Sequence, residues 1–337
     1  MRPPISLSFD SELHHALLAL PKAEIHVHLE GSLSPETVWE LAQGNGTQLP
    51  ADSLEQWRSF YSFTDFAHFI EVYGASVQCL RSPGDYARML DSFLAGQAAQ
   101  NIRYTEAFLS CSLALSRMKA GLLIETLSAA KAAAEARHGV KLKLIADIAR
   151  QFPERQEQVL ELALASEGLF IGIGLGGKEA GFPPELFTET YARARAAGLH
   201  VVAHAGEAAG ADSVRAAVER LGAERIGHGV RCLEDPALVR ELARRRLPLE
   251  VCPVSNYCLG IVAPDQPHPI RRMLDAGLFC TLNSDDPSMF GTSLLNEYLI
   301  LAGQGFSLAE LQQLSQNTWA ATFLEPTERT KLSDEKL

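Results

Sequence analysis

Short apolar runs alternate with longer amphipathic segments along most of the chain, and this alternation predicts strands separated by helices. The longer segments are rich in Ala, Leu, Glu and Arg and are long enough for crossover helices on a parallel sheet. Eight runs have the length and composition of strands: Glu24–Leu29, Tyr104–Leu109, Lys141–Ile148, Phe170–Leu175, His200–Ala205, Arg225–His228, Leu249–Cys252 and Phe279–Asn283. Eight such units predict a (β/α)8 TIM barrel that occupies residues 1–337 as a single domain.

The first connection is much longer than the others. About 74 residues separate the first two predicted strands, whereas a helix with its loops needs roughly 20 to 30. We therefore predict a helical insertion after the first strand, over about residues 40–95. Within it, Phe60, Phe63, Phe66 and Phe69 recur every third residue. These rings either pack in the core or belong to a lid over the barrel mouth, which the loops after the strands build.

The composition is that of a folded protein with a sizeable core. Of the 337 residues, 47% are hydrophobic and 21% charged, and the formal net charge is −11. An acidic chain offers no basic surface to a nucleic acid or an anionic membrane, so we expect a small-molecule partner instead. No apolar run approaches the roughly 20 residues that span a bilayer. The first residues lack the apolar core of a signal peptide, and we expect a cytoplasmic protein.

Histidines and carboxylates gather at the ends of the predicted strands. The first strand ends in His26-Val27-His28, where a period of two directs both imidazoles to one side. For a single pair of this kind, surface or core histidines are the more common explanation. Three further strand ends carry the same residue types: His204 and Glu207 after the fifth, His228 after the sixth, and Asp285 with Asp286 after the eighth. Because the carboxyl ends of barrel strands meet at one rim, these positions together predict a metal site.

The donor set favours zinc. Histidines with a carboxylate suit Zn2+, and the six cysteines form no C-x-x-C pair that would hold the ion by thiolates. The four predicted ligands are His26, His28, His204 and Asp285. Zinc lowers the pKa of a coordinated water from about 15.7 towards roughly 7, which supplies a nucleophile at neutral pH. His228 and Glu207 remain beside it as acid–base groups, so the predicted chemistry is hydrolytic.

Four strings extend this interpretation to most of the chain. They are PKAEIHVHLEGS, HAGE, ERIGHG and LNSDDP, in this order. The ordered set closely resembles the adenosine deaminase family of the amidohydrolase barrels, from about Leu20 to about Phe323. The resemblance implies that hydroxide adds to C6 of a 6-aminopurine and that ammonia then leaves.

The resemblance also implies a role for each residue of the site. The four ligands named above would bind one zinc ion per chain. Glu207 would protonate purine N1, and His228 would orient the zinc-bound water. Asp286 would contact N7. The backbone of Gly177, after the fourth predicted strand, would meet the N3 edge.

The substrate is less well defined than the reaction. Glu30 stands where the family commonly has an aspartate that reaches a ribose hydroxyl, so Glu30 is the expected sugar contact. Glutamate in this place also occurs in relatives that act on adenine or aminodeoxyfutalosine. Leu249–Asn256, His268–Ile270 and Asn283–Thr292 look especially like the aminodeoxyfutalosine type. We predict deamination of adenosine or deoxyadenosine to inosine or deoxyinosine, with aminodeoxyfutalosine or adenine as the alternative substrate.

Two other classes of function compete with a deaminase. A binuclear amidohydrolase acting on an ester or lactam would need a carboxylated lysine, and Lys178 is the only nearby candidate; a solvated loop lysine is the other explanation. A barrel that binds purines without turnover would have no use for the acid–base groups. The cytidine-type zinc deaminases are excluded, because His28-Leu29-Glu30 is not followed by their cysteine pair. The sequence leaves the oligomeric state open.

Overall fold

The eight predicted strands form one parallel sheet. In the computed structural model, which describes residues 11–334, each strand pairs with its neighbours in chain order. The strands are β1 (Lys22–His28), β2 (Ile102–Leu109), β3 (Lys141–Ala149), β4 (Phe170–Gly176), β5 (His200–Ala205), β6 (Arg225–His228), β7 (Pro248–Val251) and β8 (Phe279–Leu282). Their bounds differ from the predicted ones by at most two residues.

Backbone hydrogen bonds after β8 close the sheet into a barrel. The N–H of His28 donates to the carbonyl oxygen of Asp285 at 2.8 Å, and the N–H of Asp285 donates to the carbonyl oxygen of His26 at 3.1 Å. The predicted (β/α)8 barrel is therefore confirmed. The closure also brings two strand ends that are far apart in the chain side by side at the rim.

Helices surround the barrel and cover the apolar outer face of its strands. Before β2 lie α1 (Ser11–Ala19), α2 (Pro35–Asn45), α3 (Leu54–Phe60), α4 (Phe66–Val77) and α5 (Pro83–Ala99). Between β2 and β6 lie α6 (Cys111–Ala114), α7 (Ala120–His138), α8 (Gln156–Leu164), α9 (Thr188–Ala196) and α10 (Ala211–Ala216). The remaining helices are α11 (Pro236–Arg245), α12 (Pro253–Cys258), α13 (Ile270–Asp275), α14 (Pro287–Phe290), α15 (Leu294–Gly303), α16 (Leu308–Ala321) and α17 (Pro326–Asp334).

A helical segment lies between β1 and β2, as predicted, and comprises α2 to α5. Its last helix, α5, packs along α7 and β2 in the place of a crossover helix. The aromatic stripe does not lie on one continuous helix, because α3 ends at Phe60 and α4 begins at Phe66. The Asp65 carboxylate accepts a hydrogen bond from the N–H of His68 at 2.8 Å. This N-cap starts a new helix in the middle of the stripe.

The phenylalanines of the stripe serve both roles that the sequence left open. Phe63 and Phe69 are buried and meet at right angles, with ring centroids 5.4 Å apart. Both rings also contact Phe290. Phe66 and Phe69 line a cavity at the mouth of the barrel. The stripe therefore joins the insertion to the core and also walls the cavity.

The barrel interior holds an apolar cluster and a buried polar layer. Phe108, Ile145 and Val202 form the apolar cluster between the strands. In the polar layer, the Arg225 guanidinium lies 2.6 Å from a Glu106 oxygen and 2.5 Å from a Glu250 oxygen, and all three side chains are buried. This layer occupies the interior towards the amino ends of the strands and leaves the opposite rim to the predicted site.

Across residues 11–334, no helix combines the length and the hydropathy that crossing a bilayer requires. The predicted lack of a signal peptide concerns chiefly residues 1–10, which lie outside the described part of the chain.

Candidate metal centre and active site

Four imidazoles and a carboxylate meet at the rim where β1, β5, β6 and β8 end. One potential ligand atom each of His26, His204, His228 and Asp285 lies within 4.8 Å of the other three. His28 joins this group, since its Nε2 is 3.1 Å from His204 Nε2 and 3.4 Å from Asp285 Oδ1. The structure thus brings together the four predicted ligands, and it adds His228.

The donor set fits a metal ion. His26 Nε2 is buried and has no hydrogen-bond partner within the described residues, although it lies 3.6 Å from Asp285 Oδ1. A buried polar atom without a partner is costly unless a ligand completes its environment. All five side chains are buried, and imidazole and carboxylate are the ligands that zinc prefers. Three of these imidazoles together with Asp285 make a buried His/His/His/Asp metal site.

Burial keeps most of the imidazoles in the form that binds a metal. It lowers the pKa of His28 to about 4 and that of His204 well below its ordinary value. Burial also lowers the pKa of His26, but the nearby carboxylates of Asp285 and Glu250 outweigh it and raise that pKa to about 10. Neutral imidazole is the metal-binding form, so metal binding at this cluster is expected to depend on pH.

Hydrogen bonds on the far side of two rings fix the proton on Nδ1. His26 Nδ1 lies 2.7 Å from Glu250 Oε2, and His204 Nδ1 lies 3.1 Å from the carbonyl oxygen of Leu175. Both oxygens are acceptors, so each Nδ1 donates, and each Nε2 presents a lone pair to the cluster when the ring is neutral. Glu250 has no role among the predictions from the sequence, although a carboxylate among apolar residues on β7 is a signal that could have identified it.

His228 has the opposite tautomer. The N–H of Ile270 donates to His268 Nδ1 at 3.1 Å, so His268 Nε2 carries a proton and donates to Asn256 Oδ1 at 3.1 Å. The Asn256 amide nitrogen in turn lies 3.3 Å from His228 Nδ1 and donates to it. This chain of hydrogen bonds leaves the proton of His228 on Nε2. His228 therefore presents a donor to the cluster, where His26 and His204 present lone pairs.

Two residues at the rim have left-handed backbone conformations that are uncommon outside glycine. The φ angles are 61° at His228 and 64° at Asp285. Such conformations cost about 1–3 kcal/mol and persist only where the surrounding structure imposes them. Both turn the chain at the end of a strand, where a side chain must reach the shared cluster.

Glu207 lies next to His228 in a loop held by a second carboxylate. The distance from His228 Nε2 to Glu207 Oε1 is 3.5 Å. The Glu179 carboxylate accepts hydrogen bonds from the N–H groups of Gly206, Glu207 and Ala209 at 2.7, 3.2 and 2.7 Å. Burial, followed by the charges of Asp285 and Glu179, raises the pKa of Glu207 well above its usual range. This shift favours the protonated form of Glu207, which is the form that a general acid needs.

A cavity of about 400 Å3 opens above the cluster. His28, His204, His228, Asp285, Glu207 and Asp286 line its deep end, and Gly177 and the residues of α4 line its wall. Burial and the charge of Asp285 raise the pKa of Asp286 well above its usual range, and Asp286 Oδ1 is buried without a partner in the described residues. Gly177 has a φ of 83°, which favours glycine at this turn.

Two residues singled out in the sequence do not face the cavity. Glu30 is 1% exposed, and its two oxygens accept hydrogen bonds from the N–H of Ser110 at 2.9 Å and the hydroxyl of Tyr73 at 3.2 Å. Glu30 is thus engaged by protein groups, and the expected sugar contact is absent from the cavity wall. Lys178 is exposed, and its N–H donates to Gln151. It gives no support to a binuclear centre.

Comparisons with known proteins agree over most of the chain. The family model for adenosine deaminase matches residues 21–336. An adenine deaminase from Cupriavidus necator is 38% identical over 328 residues, which cover 96% of this chain and 93% of that protein. An aminodeoxyfutalosine deaminase from Streptomyces coelicolor is 40% identical over 332 residues, covering 96% of this chain and 85% of that protein.

One similar protein of known structure contains a bound zinc ion. The crystal structure of an amidohydrolase from Burkholderia ambifaria with bound Zn has a TM-score of 0.87 and 26% sequence identity to this chain. The match covers 98% of this chain and 93% of the Burkholderia protein.

Proposed function

Because the chain belongs to the adenosine deaminase family and is a metal-dependent aminohydrolase, we propose that it hydrolyses the 6-amino group of aminodeoxyfutalosine. The products would be ammonia and the corresponding 6-oxopurine. Adenosine and deoxyadenosine, which the sequence favoured, have less support from the relatives than adenine and aminodeoxyfutalosine have. The observation that carries the choice is the cavity, which continues beyond the metal cluster to an arginine.

The proposed ligands of one zinc ion per chain are His26, His28, His204 and Asp285. The tautomers support this choice over one that includes His228, because a protonated Nε2 cannot bind a cation. Zinc in this place would make water a competent nucleophile at neutral pH.

Glu207 and His228 would handle the protons of the reaction. Glu207, whose pKa is raised by burial and by the charge of Asp285, would protonate purine N1 and so make C6 electrophilic. His228 would orient the attacking water. The hydrogen bonds from His268 through Asn256 hold its ring in the orientation that this role needs.

Two groups would fix the rest of the purine ring. N7 is an acceptor and needs a donor, which Asp286 would supply in its protonated form, the form that its raised pKa favours. The N–H of Gly177 would donate to N3. With donors at N1, N3 and N7, the ring can be held with C6 over the metal cluster, and electrostatic preorganisation of this kind is usually the largest catalytic contribution.

The outer cavity suits a substituent larger than a hydrogen atom on N9. Aminodeoxyfutalosine carries its 6-aminopurine on a ribose whose far end bears a carboxylated aromatic ring. Phe66, Ile70 and Phe152 provide apolar wall for such a ring, and Arg117 lies in the same lining. A guanidinium group pairs well with a carboxylate. Free adenine would leave this part of the cavity to water.

Adenine is the second candidate, favoured by the similarity to the Cupriavidus enzyme. A panel of aminodeoxyfutalosine, adenine, adenosine and deoxyadenosine compared by kcat/KM separates the candidates. We expect aminodeoxyfutalosine to exceed adenine by at least about tenfold, the scale of one charge-assisted hydrogen bond. Arg117→Ala should narrow that ratio. A higher kcat/KM for adenine than for aminodeoxyfutalosine would make adenine the assigned substrate. If none of the four compounds released ammonia, the proposed deaminase activity would be wrong.

A further inference from the structure

A carboxyl group that the reaction does not use faces the cavity from β3. Asp147 lines the cavity, yet it is only 4% exposed. Its Oδ1 is buried and has no hydrogen-bond partner among residues 11–334. Nearly all buried polar atoms in folded proteins have a partner, so this one calls for a ligand.

Two glycines on β4 make the space for this carboxyl group. A Cβ atom on Gly174 would lie 2.6 Å from Asp147 Oδ1, and a Cβ atom on Gly176 would lie 2.6 Å from Asp147 Oδ2. Both distances are far below van der Waals contact. Any larger residue at either position would therefore displace the carboxyl group, so the slot is specific to Asp147 beside two glycines.

The neighbouring carboxylate of Glu30 is already engaged by protein groups. Both oxygens of Glu30 are engaged by Ser110 and Tyr73, and Glu30 does not line the cavity. Burial, followed by the charge of Glu30, raises the pKa of Asp147 well above its usual range. A neutral carboxylic acid both donates and accepts, as a hydroxyl partner requires.

We propose that Asp147 is a specificity residue that binds a ribose hydroxyl of the substrate, the contact that the sequence assigned to Glu30. This inference rests on the proposed function, in which N1, N3 and N7 of the purine already have partners. The substrate carboxylate is paired with Arg117 in that proposal, whereas the hydroxyl groups of the sugar on N9 still lack a partner. N9 and N3 are both bonded to C4 of the purine, and Asp147 borders Gly176, the neighbour of the proposed N3 partner Gly177.

A cycle of substitutions in enzyme and substrate tests the contact. Asp147→Leu keeps the approximate volume and removes hydrogen bonding, whereas Asp147→Asn retains a donor and an acceptor. We expect the leucine variant to lower kcat/KM for aminodeoxyfutalosine and adenosine about tenfold to a hundredfold relative to adenine. The asparagine variant should keep most of the activity.

The substrate arm uses 2′-deoxyadenosine and 3′-deoxyadenosine. In the wild-type enzyme, one of the two should lose activity relative to adenosine, and that penalty should vanish in Asp147→Leu. If the leucine variant does not fold, Asp147→Ala replaces it in the same cycle. Asp52→Leu, on an exposed loop outside the cavity, is the control and should change none of the rates.

An equal loss on adenine and on the nucleosides, or an unchanged deoxy penalty in the variant, would overturn the role of Asp147. Failure of the proposed function would look different, because the wild-type enzyme would then release no ammonia from any purine or would have a higher kcat/KM for adenine than for aminodeoxyfutalosine.

Discussion

Buried carboxyl groups inside the barrel differ between the rim and the layer beneath it. Beneath the rim, Glu24, Glu106 and Glu250 have each oxygen paired with a protein donor, among them Gln97, Ser284, Tyr104, Arg225 and His26. At the rim, Asp147 and Asp286 each keep a buried oxygen without a partner in the described part of the chain. His26 Nε2 is in the same state.

This difference distinguishes residues that stabilise the structure from residues that bind the metal or the substrate. Buried groups with all their hydrogen bonds formed hold the strands and the ligands in place. Buried groups that lack a hydrogen bond destabilise the folded protein until a metal or a substrate supplies the missing partner. Substitutions at the rim should therefore lower activity more than stability, and substitutions in the layer beneath should lower stability more than activity.

The largest effect is expected at a metal ligand. The binding free energy of a protein-bound zinc ion, roughly 10–16 kcal/mol shared over four ligands, implies a loss of at least ~10²-fold in zinc affinity when one is removed. His204→Ala should show this loss by metal titration, and turnover should fall by a larger factor for all substrates alike. Full metal occupancy in the variant would show that His204 is not a ligand.

Glu207→Gln should lower kcat by about 10²-fold or more, the usual scale for a general acid, because glutamine cannot protonate N1. Zinc content, measured by metal analysis, should remain that of the wild type. Glu55→Gln on the exposed surface is the matched control. A near-normal rate would mean that another group delivers the proton.

Glu250→Gln tests the link between the two regions, because its carboxylate contacts both His26 and Arg225. Removing the hydrogen-bond partner of a metal-binding histidine typically lowers metal affinity tenfold to a hundredfold. Glu106→Gln breaks the other ion pair of Arg225 without touching His26, so it should lower stability and leave zinc affinity unchanged. Equal zinc affinities in the two variants would contradict the link.

The smallest effect concerns another buried carboxyl group whose two oxygens both have protein partners. Glu297 accepts hydrogen bonds from Thr292 and from the N–H of Val254, and burial raises its pKa to about 8. A pKa raised by folding stabilises the protein at low pH, and the contribution disappears as pH rises through that value. Between pH 6 and 8 the wild type should lose about 2 kcal/mol of unfolding free energy relative to Glu297→Gln. Urea denaturation of the zinc-loaded proteins measures this, and a constant difference would refute it.

Much of the site could be predicted because its residues are local signals. His26, His28, His204, His228 and Asp285 each interrupt an apolar run at the end of a strand, and barrel topology alone brings strand ends together. The number of strands and the long first connection could also be predicted, since both depend on patterns within a few tens of residues.

What could not be predicted depends on packing between distant segments. The tautomer of His228 follows from Asn256 and His268, and no local pattern reveals that these three side chains meet. The engagement of Glu30 by Ser110 and Tyr73 has the same origin. The role of Asp147 could not be predicted, because its lack of a hydrogen-bond partner at Oδ1 and its position beside the glycines of β4 are visible only in the structure.

Zinc titration of the metal-free enzyme, followed by ammonia release, tests the central claim most directly. The account predicts that activity is lost on chelation and returns linearly, with an end point at one zinc ion per chain. An end point at two ions per chain, or activity that survives chelation, would contradict a single His/His/His/Asp centre as the origin of the chemistry.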